Sequence, residues 1–417
     1  MQSVNRYLKN IILSAAVLLV SGIVSAQDES KVLSFKYKKG DTYRILSKVE
    51  EDVFVNNEKN HHSEIVNRVS VAVTSVDAAG NGTQQASFMT SDEAEGSLTG
   101  KHFTWNEEFQ SEYIRSPQGN FTIAQTYFMP VVRNMPVFPE KAVKPGDVWT
   151  ATGYEAHDLR RTFNLQTPQI VPFTATYTYT GTQKDKTGKL LDVINADYSL
   201  YYENPPPSAD SGKPYSDYPV STMGYSSRVI YWDNTKGEID HYDENFRINI
   251  ITSYGTVYKF TGTTHAELTE FKRTATEENV KQLQSIIEKL NIKDVSVKAS
   301  DKGLTLSIEN IQFEADSAIL LASEKNKLQK IAQILNTYPD NDLLISGHTA
   351  LAGTEASRQQ LSEDRAQSVA DYLIQLGVKD AYHIFTKGYG AKNPIAPNTT
   401  EEGMAKNRRV EITILDK

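Results

Sequence analysis

No cysteine occurs anywhere in the 417 residues. That absence excludes a disulfide framework, a thiol nucleophile, a thiolate metal site and a lipidated cysteine behind a leader. Long apolar runs are missing too: the run at residues 11–20 is well short of the ~20 residues a membrane helix needs, and no later stretch approaches that length. Basic charge is in deficit, with 44 Lys and Arg against 52 Asp and Glu. An acidic chain is a poor partner for nucleic acid. Only 8 histidines are present, and no Ser-His-Asp order or metal-ligand spacing stands out. The reading is therefore non-enzymatic, with no catalytic set, cofactor or metal site.

What is present begins with Arg6 and Lys9, the apolar run, and Val24-Ser25-Ala26 ahead of Gln27. That order is a secretory signal peptide over residues 1–26, which puts the mature start at Gln27. Its removal takes two basic and no acidic residues, leaving 42 against 52 and a net charge of −10. About 390 residues remain, enough for two or three domains built on ordinary apolar cores.

From residue 27 to 271 the pattern is strand-like. Thr174-Ala175-Thr176-Tyr177-Thr178-Tyr179-Thr180 alternates threonine with larger or apolar residues, and residues 228–232 and 247–251 are rich in β-branched and aromatic types. Period two means strands with one buried face, and turns such as Ala79-Gly80-Asn81-Gly82 punctuate them. An echo of Lys-x-Gly-Asp-x-aromatic appears at Lys38 to Tyr43 and again at Lys144 to Trp149. It fits either two similar β modules with a break near residue 140 or one turn used twice. The stretch from Asn204, with Pro205-Pro206-Pro207, reads as an exposed loop. A membrane barrel fits poorly, since Glu238, Asp240, Tyr242, Glu244 and Phe246 fall on one strand face and Asp243, Asn245 and Arg247 on the other. A calyx for a lipid or other apolar ligand is a further reading of this region.

Residues 272–294 form a connector helix. Thr274 and Glu277 make a capping box, and Val280, Leu283, Ile286, Ile287 and Leu290 come after it at helical spacing. From residue 295 strands and helices alternate: a strand at 304–311, a helix at 323–335, a strand at 343–346, a helix at 361–376 stopped by Gly377, and a strand at 410–415. The fold class is α+β: a large antiparallel β-rich N-terminal region, the connector, and a C-terminal β-α-β-α-β domain over residues 295–417 with helices on a mixed sheet.

The run Phe313-Glu314-Ala315-Asp316-Ser317-Ala318-Ile319-Leu320, then Gly347-His348-Thr349, Leu361-Ser362-Glu363-Asp364-Arg365-Ala366 and Asn407-Arg408-Arg409-Val410-Glu411-Ile412 stand in this order. In order and spacing the C-terminal segment resembles the OmpA-like, peptidoglycan-associating domain family. No such resemblance covers residues 27–271. The resemblance implies an envelope protein in the periplasm or on the periplasmic side of the outer membrane. Its implied partners are the peptidoglycan stem peptide or another cell-wall anion, and outer-membrane proteins.

It also implies a pocket drawn from Phe313, Thr349, Ala350, Arg358, Arg365, Asn407 and Arg409. In the family an aspartate holds the ammonium of a diaminopimelate residue, and an arginine, matched by Arg365, holds its carboxylate. A zwitterion needs one anion and one cation at fixed separation. Here the aspartate position is Ala350, and Arg358 stands where the family usually has asparagine, so the pocket is two charges more positive. His348 reads as a structural imidazole. Arg408 and Arg409, being strand neighbours, divide between surface and pocket wall, and His61-His62 fails as a metal pair for the same reason. Two functions remain open: wall association, or a domain that has lost diaminopimelate binding and works as a protein-interaction module.

Overall fold

The computed structural model describes residues 30–97, 100–204, 217–270, 274–300, 302–314 and 317–416. The leader, the Pro205-Pro206-Pro207 stretch and the Ala315-Asp316 pair lie outside the described residues. The N-terminal part carries β1 (Thr42–Val55), β2 (Glu58–Val76), β3 (Gly82–Ser97), β4 (Gly100–Arg115), β5 (Phe121–Ile123) and β6 (Val132–Arg133). It continues with β7 (Val148–His157), a short α1 (Arg160–Phe163), β8 (Gln169–Lys184), β9 (Leu190–Glu203), β10 (Pro219–Asp233), β11 (Glu238–Thr252) and β12 (Val257–Glu270). After α2 (Glu277–Lys289) come β13 (Val295–Ala299), β14 (Gly303–Glu309), α3 (Ala322–Leu335), β15 (Leu343–Gly347) and α4 (Glu355–Gln375). The chain ends with β16 (Ile384–Gly388), α5 (Glu401–Asn407) and β17 (Arg409–Leu415).

Antiparallel pairing links β4, β3, β2, β1, β12, β11, β10, β9, β8, β7 and β6 in that spatial order. Strands this long twist strongly, and the sheet curls until its inner face encloses a core. Period two decides what goes inside. On β8, Val171, Phe173, Ala175, Tyr177 and Tyr179 are buried, and they pack with Trp232 of β10 and with Leu33, Phe35 and Phe138 from connecting segments. On β11, Asp243, Asn245 and Arg247 point outward and are exposed. The two Lys-x-Gly-Asp turns share one geometry, with Gly40 at φ 91° and Gly146 at φ 93°. Gly40 N–H donates to the Val73 carbonyl at 2.9 Å and Gly146 N–H to that of Tyr179 at 2.8 Å. Each turn therefore ties the start of a hairpin to its second strand, β2 or β8.

Helix α2 starts two residues later than the capping-box reading. Its cap is Thr276, whose hydroxyl accepts from Asn279 N–H. Thr274 is diverted to the far end of the chain: its N–H donates to the Asp416 carboxylate at 2.6 Å, and its hydroxyl accepts from Asn341 at 2.8 Å. Leu283 and Ile287 of α2 are buried in the core of the C-terminal sheet with Leu306, Leu328, Val369 and Ile412. The connector thus belongs structurally to the C-terminal sheet.

The C-terminal order is β-β-α-β-α-β-α-β, richer than the five-element expectation by β13, β16 and α5. Strand β16 is only five residues long, and a loop separates it from α5, so neither makes a long periodic signal. The sheet is mixed: β17 runs antiparallel to β14 and β15, while β16 is parallel to β15. Helix α4 begins six residues before the expected 361, because Thr354 accepts from Ser357 N–H and caps it there. Gly377, at φ 70°, ends it as expected.

Strand β16 also pairs in parallel with β4 through Phe385–Phe103 and Thr386–Thr104. A second apolar cluster closes this seam, with Phe103, Trp105, Val66 and Met89 from one side and Leu344, Phe385 and Leu415 from the other. Arg68 forms an ion pair with Asp342, and Lys302 and Lys387 both face Glu108. The two parts share one buried contact.

Candidate functional site

Strand β15 ends at Gly347, where a Cβ would lie 1.9 Å from the Ser362 carbonyl oxygen. Only glycine lets α4 sit this close to the strand, and that contact positions His348, Thr349 and Ala350. His348 N–H donates to the Arg409 carbonyl at 3.0 Å, and Thr349 N–H to that of Gly390 at 2.9 Å. Gly390 N–H in turn donates to the hydroxyl of fully buried Ser362 at 2.9 Å. Four pieces of chain meet here: the end of β15, the loop after β16, α4 and the start of β17.

Arg358 and Arg365 stand four residues before and three after Ser362, so they share its helix face. The Arg365 guanidinium carbon lies 4.8 Å from the centroid of the Phe313 ring, within cation–π range. Phe313 is itself held by a bridge to Leu320 and by the core of the domain. Arg358 donates to the Gly353 carbonyl in the loop before α4. Thr349 and Ala350 are buried, and the Thr349 hydroxyl has no hydrogen-bond partner among the described residues. A ligand group reaching it would satisfy a buried polar atom.

Arg409 turns inward, donating from Nε to Glu411 at 2.8 Å and from Nη2 to the Asn393 carbonyl at 3.1 Å. Its Nη1 is buried without a partner among the described residues. Arg408 turns outward to Glu401 at 2.8 Å. The two neighbours diverge, but not by strand alternation: Arg408 is the residue that ends α5, and β17 begins only at Arg409. Burial pushes the Glu411 carboxyl up, but the hydrogen bond and charge of Arg409 outweigh it and hold its pKa below the usual value. His348 is stacked on Tyr389 at 5.1 Å and buried. Burial first, and then the Arg409 charge, lower its pKa to about 3. It is a neutral structural ring.

Asn407 has a different task from the one assigned to it in the sequence. Its amide oxygen accepts from the N–H groups of Ile395 and Ala396, and its NH₂ donates to the Ala396 carbonyl and to Asn398. Those four bonds are all a carboxamide makes. Asn398 also accepts from Leu351 N–H at 3.1 Å, so Asn407 ties the loop before α5 to the turn after β15 and has no bonding capacity left for a ligand. The loop residues Gly390, Asn393 and Asn398 were not anticipated. Their signal was the turn-rich Gly388-Tyr389-Gly390 and Asn393-Pro394 run after a short apolar strand.

His61 and His62 do point apart, but His62 gathers partners from across the strand pair. Its Nδ1 meets Asp52 at 2.7 Å and its Nε2 meets Glu50 at 3.0 Å. Glu50, His62 and Glu64 form a donor group within 4.8 Å, two of its three members exposed. Neighbour alternation on one strand could not reveal it, because Glu50 comes from β1.

Residues 312–408 match the model of the OmpA family. The probable lipoprotein YiaD of Escherichia coli K12 is 41% identical over 128 residues, covering 30% of this chain and 58% of that protein. The peptidoglycan-binding protein ArfA of Mycobacterium bovis is 45% identical over 104 residues, covering 25% of this chain and 32% of that protein. This chain thus spans less than two thirds of either curated relative. Among solved structures, an outer membrane protein from Borrelia burgdorferi B31 is 39% identical, covering 29% of this chain and 97% of that one at a TM-score of 0.25.

Proposed function

The C-terminal part of this chain belongs to the OmpA family, and from that premise we propose that the protein is a non-enzymatic envelope component that docks on peptidoglycan. In this reading residues 1–26 export the chain, and the mature protein works in the periplasm or on the periplasmic side of the outer membrane. The β-rich region, residues 27–271, forms one part, and the connector with residues 295–417 forms the other. The binding named for the mycobacterial relative supports the wall as partner.

The observation that carries the reading is the Arg365 guanidinium held over Phe313, three residues along α4 from the Ser362 hydroxyl that Gly390 uses to tie the Thr349 turn to the helix. A planar guanidinium fixed by an aromatic face suits a carboxylate. With Ala350 in place of a carboxylate, an ammonium would lose water without gaining an acceptor. The pocket therefore prefers a stem-peptide carboxylate or another wall anion over free diaminopimelate, with Arg358 and Arg409 adding positive potential. Cosedimentation with purified peptidoglycan tests it: the mature chain should pellet with the wall, and Arg365→Ala should stay in solution.

Ala350, and the complete internal use of Asn407, favour a second reading in which the domain binds a protein instead of the wall. A chain that stays soluble with peptidoglycan but is retained by outer-membrane proteins fits that reading alone.

A further inference from the structure

The curled N-terminal sheet and the segment from Met129 to Pro136 line a half-open cavity of about 430 Å³, inside the ~300 to 1,000 Å³ range of small-molecule sites. Strand register orders its wall into rungs. One rung is Ile45, Val69 and Phe88; two residues further along each strand come Ser47, Asn67 and Thr90. The next contains Val49, Thr264, Glu244 and Arg228. Every second residue faces inward, so the lining passes from apolar to polar along the strand direction. Ile45, Val49, Val69 and Ile239 line the cavity yet are only half-buried. Apolar surface inside a sheet that the protein's own side chains leave uncovered is a place for an apolar guest.

The polar end is built and largely satisfied. Arg228 donates from Nη2 to Glu244 at 2.9 Å, and Glu244 also accepts from Ser226 at 2.6 Å. Glu155 is held by His157 and by the hydroxyl of Tyr198. Burial pushes the Glu155 carboxyl up, but those hydrogen bonds prevail and keep its pKa below the usual value. Arg228 is 8% exposed, and its Nε has no partner among the described residues. The carboxylates of Glu155 and Glu244 flank that guanidinium and repel an incoming anion, while a neutral carbonyl dipole meets no such repulsion at this rung.

We propose that this cavity binds an uncharged amphiphile: an acyl chain ending in an ester or amide carbonyl, with its chain along Ile45, Val69 and Phe88 and its carbonyl at the polar rung of Arg228 and Glu244. The site lies in a different part of the chain from the wall pocket and is independent of it.

Native mass spectrometry and calorimetry on the full mature chain test the proposal with two probes, 1-monododecanoylglycerol and dodecanoate, both below their micellar concentrations. The ester should bind one to one, and dodecanoate at least about tenfold more weakly, a difference of ~1.4 kcal/mol. Filling the apolar rung with Ile45→Trp should abolish ester binding. The pair Arg228→Met with Glu244→Leu, which removes both charges together, should weaken it by roughly tenfold. The comparison of the two probes needs no variant and stands even if a substitution fails to fold. No ester complex, dodecanoate binding as tight as the ester, or unchanged binding in a folded Ile45→Trp chain would each overturn the proposal.

Discussion

At the scale of single residues, Ala350 and His348 make opposite statements about charge. Ala350 is a buried methyl; if the proposed wall site is right, a carboxylate there completes a zwitterion site, and Ala350→Asp should raise affinity for diaminopimelate-containing muropeptides. A charged hydrogen bond contributes about 1.5 to 3 kcal/mol, roughly 10- to 150-fold in affinity. Calorimetry checks it, and equal affinity before and after the change would remove Ala350 from the pocket. His348 is held neutral, its pKa lowered to about 3 by burial and by Arg409, against about 6.5 in the unfolded chain. The unfolded state then takes up a proton that the folded state refuses. The contribution is fully present above pH ~6.5 and is lost as pH falls from there toward 3, at up to about 1.4 kcal/mol per pH unit. Carbon-bound proton shifts of His348 should stay flat from pH 8 to pH 4, and a midpoint near 6 would contradict a buried neutral ring.

At the scale of elements, the seam decides how separable the two parts are. Phe385 is fully buried against Phe103 and Trp105, with the Phe385 and Trp105 rings 5.7 Å apart and edge-on. Phe385→Ala should cost about 3 to 5 kcal/mol in the full chain, measured by denaturant unfolding. Residues 274–417 alone keep their own core and the Thr274–Asp416 tie, so they should still melt cooperatively, but at a lower temperature than in the full chain. Losing cooperativity would sink the boundary. Strong periodicity made α3, most of α4, β14, β15 and β17 legible in the sequence. Strand β16 was not, because it is five residues long, its alternation is masked by burial on both faces, and one of its two partners, β4, lies more than 250 residues away. The cap at Thr274 looked sound locally and lost to a contact with Asp416 that no window of sequence contains.

Across the whole molecule, the four motif blocks that sequence order displays do converge, through Gly347, Gly390 and Ser362, on one corner of the C-terminal sheet. Arg365 and Phe313 meet there, the guanidinium over the ring. Asn407 does not join them as a ligand group, since side-chain hydrogen bonding is invisible in a one-dimensional pattern. The interior cavity was legible only as a general idea of a calyx: alternation says which face is inside, but not whether the inside is filled. Its rung of Arg228, Glu244 and Thr264 comes from three strands whose register only the folded sheet fixes.

Docking on the wall is tested most directly by cosedimentation of the mature chain with purified peptidoglycan, beside Arg365→Ala at matched folded concentration. The unmodified chain should pellet with the wall, and the variant should be left in the supernatant with its thermal transition unchanged. An unmodified chain that stays in the supernatant, or an Arg365→Ala chain that pellets as well as its parent, would contradict a wall pocket built on Arg365.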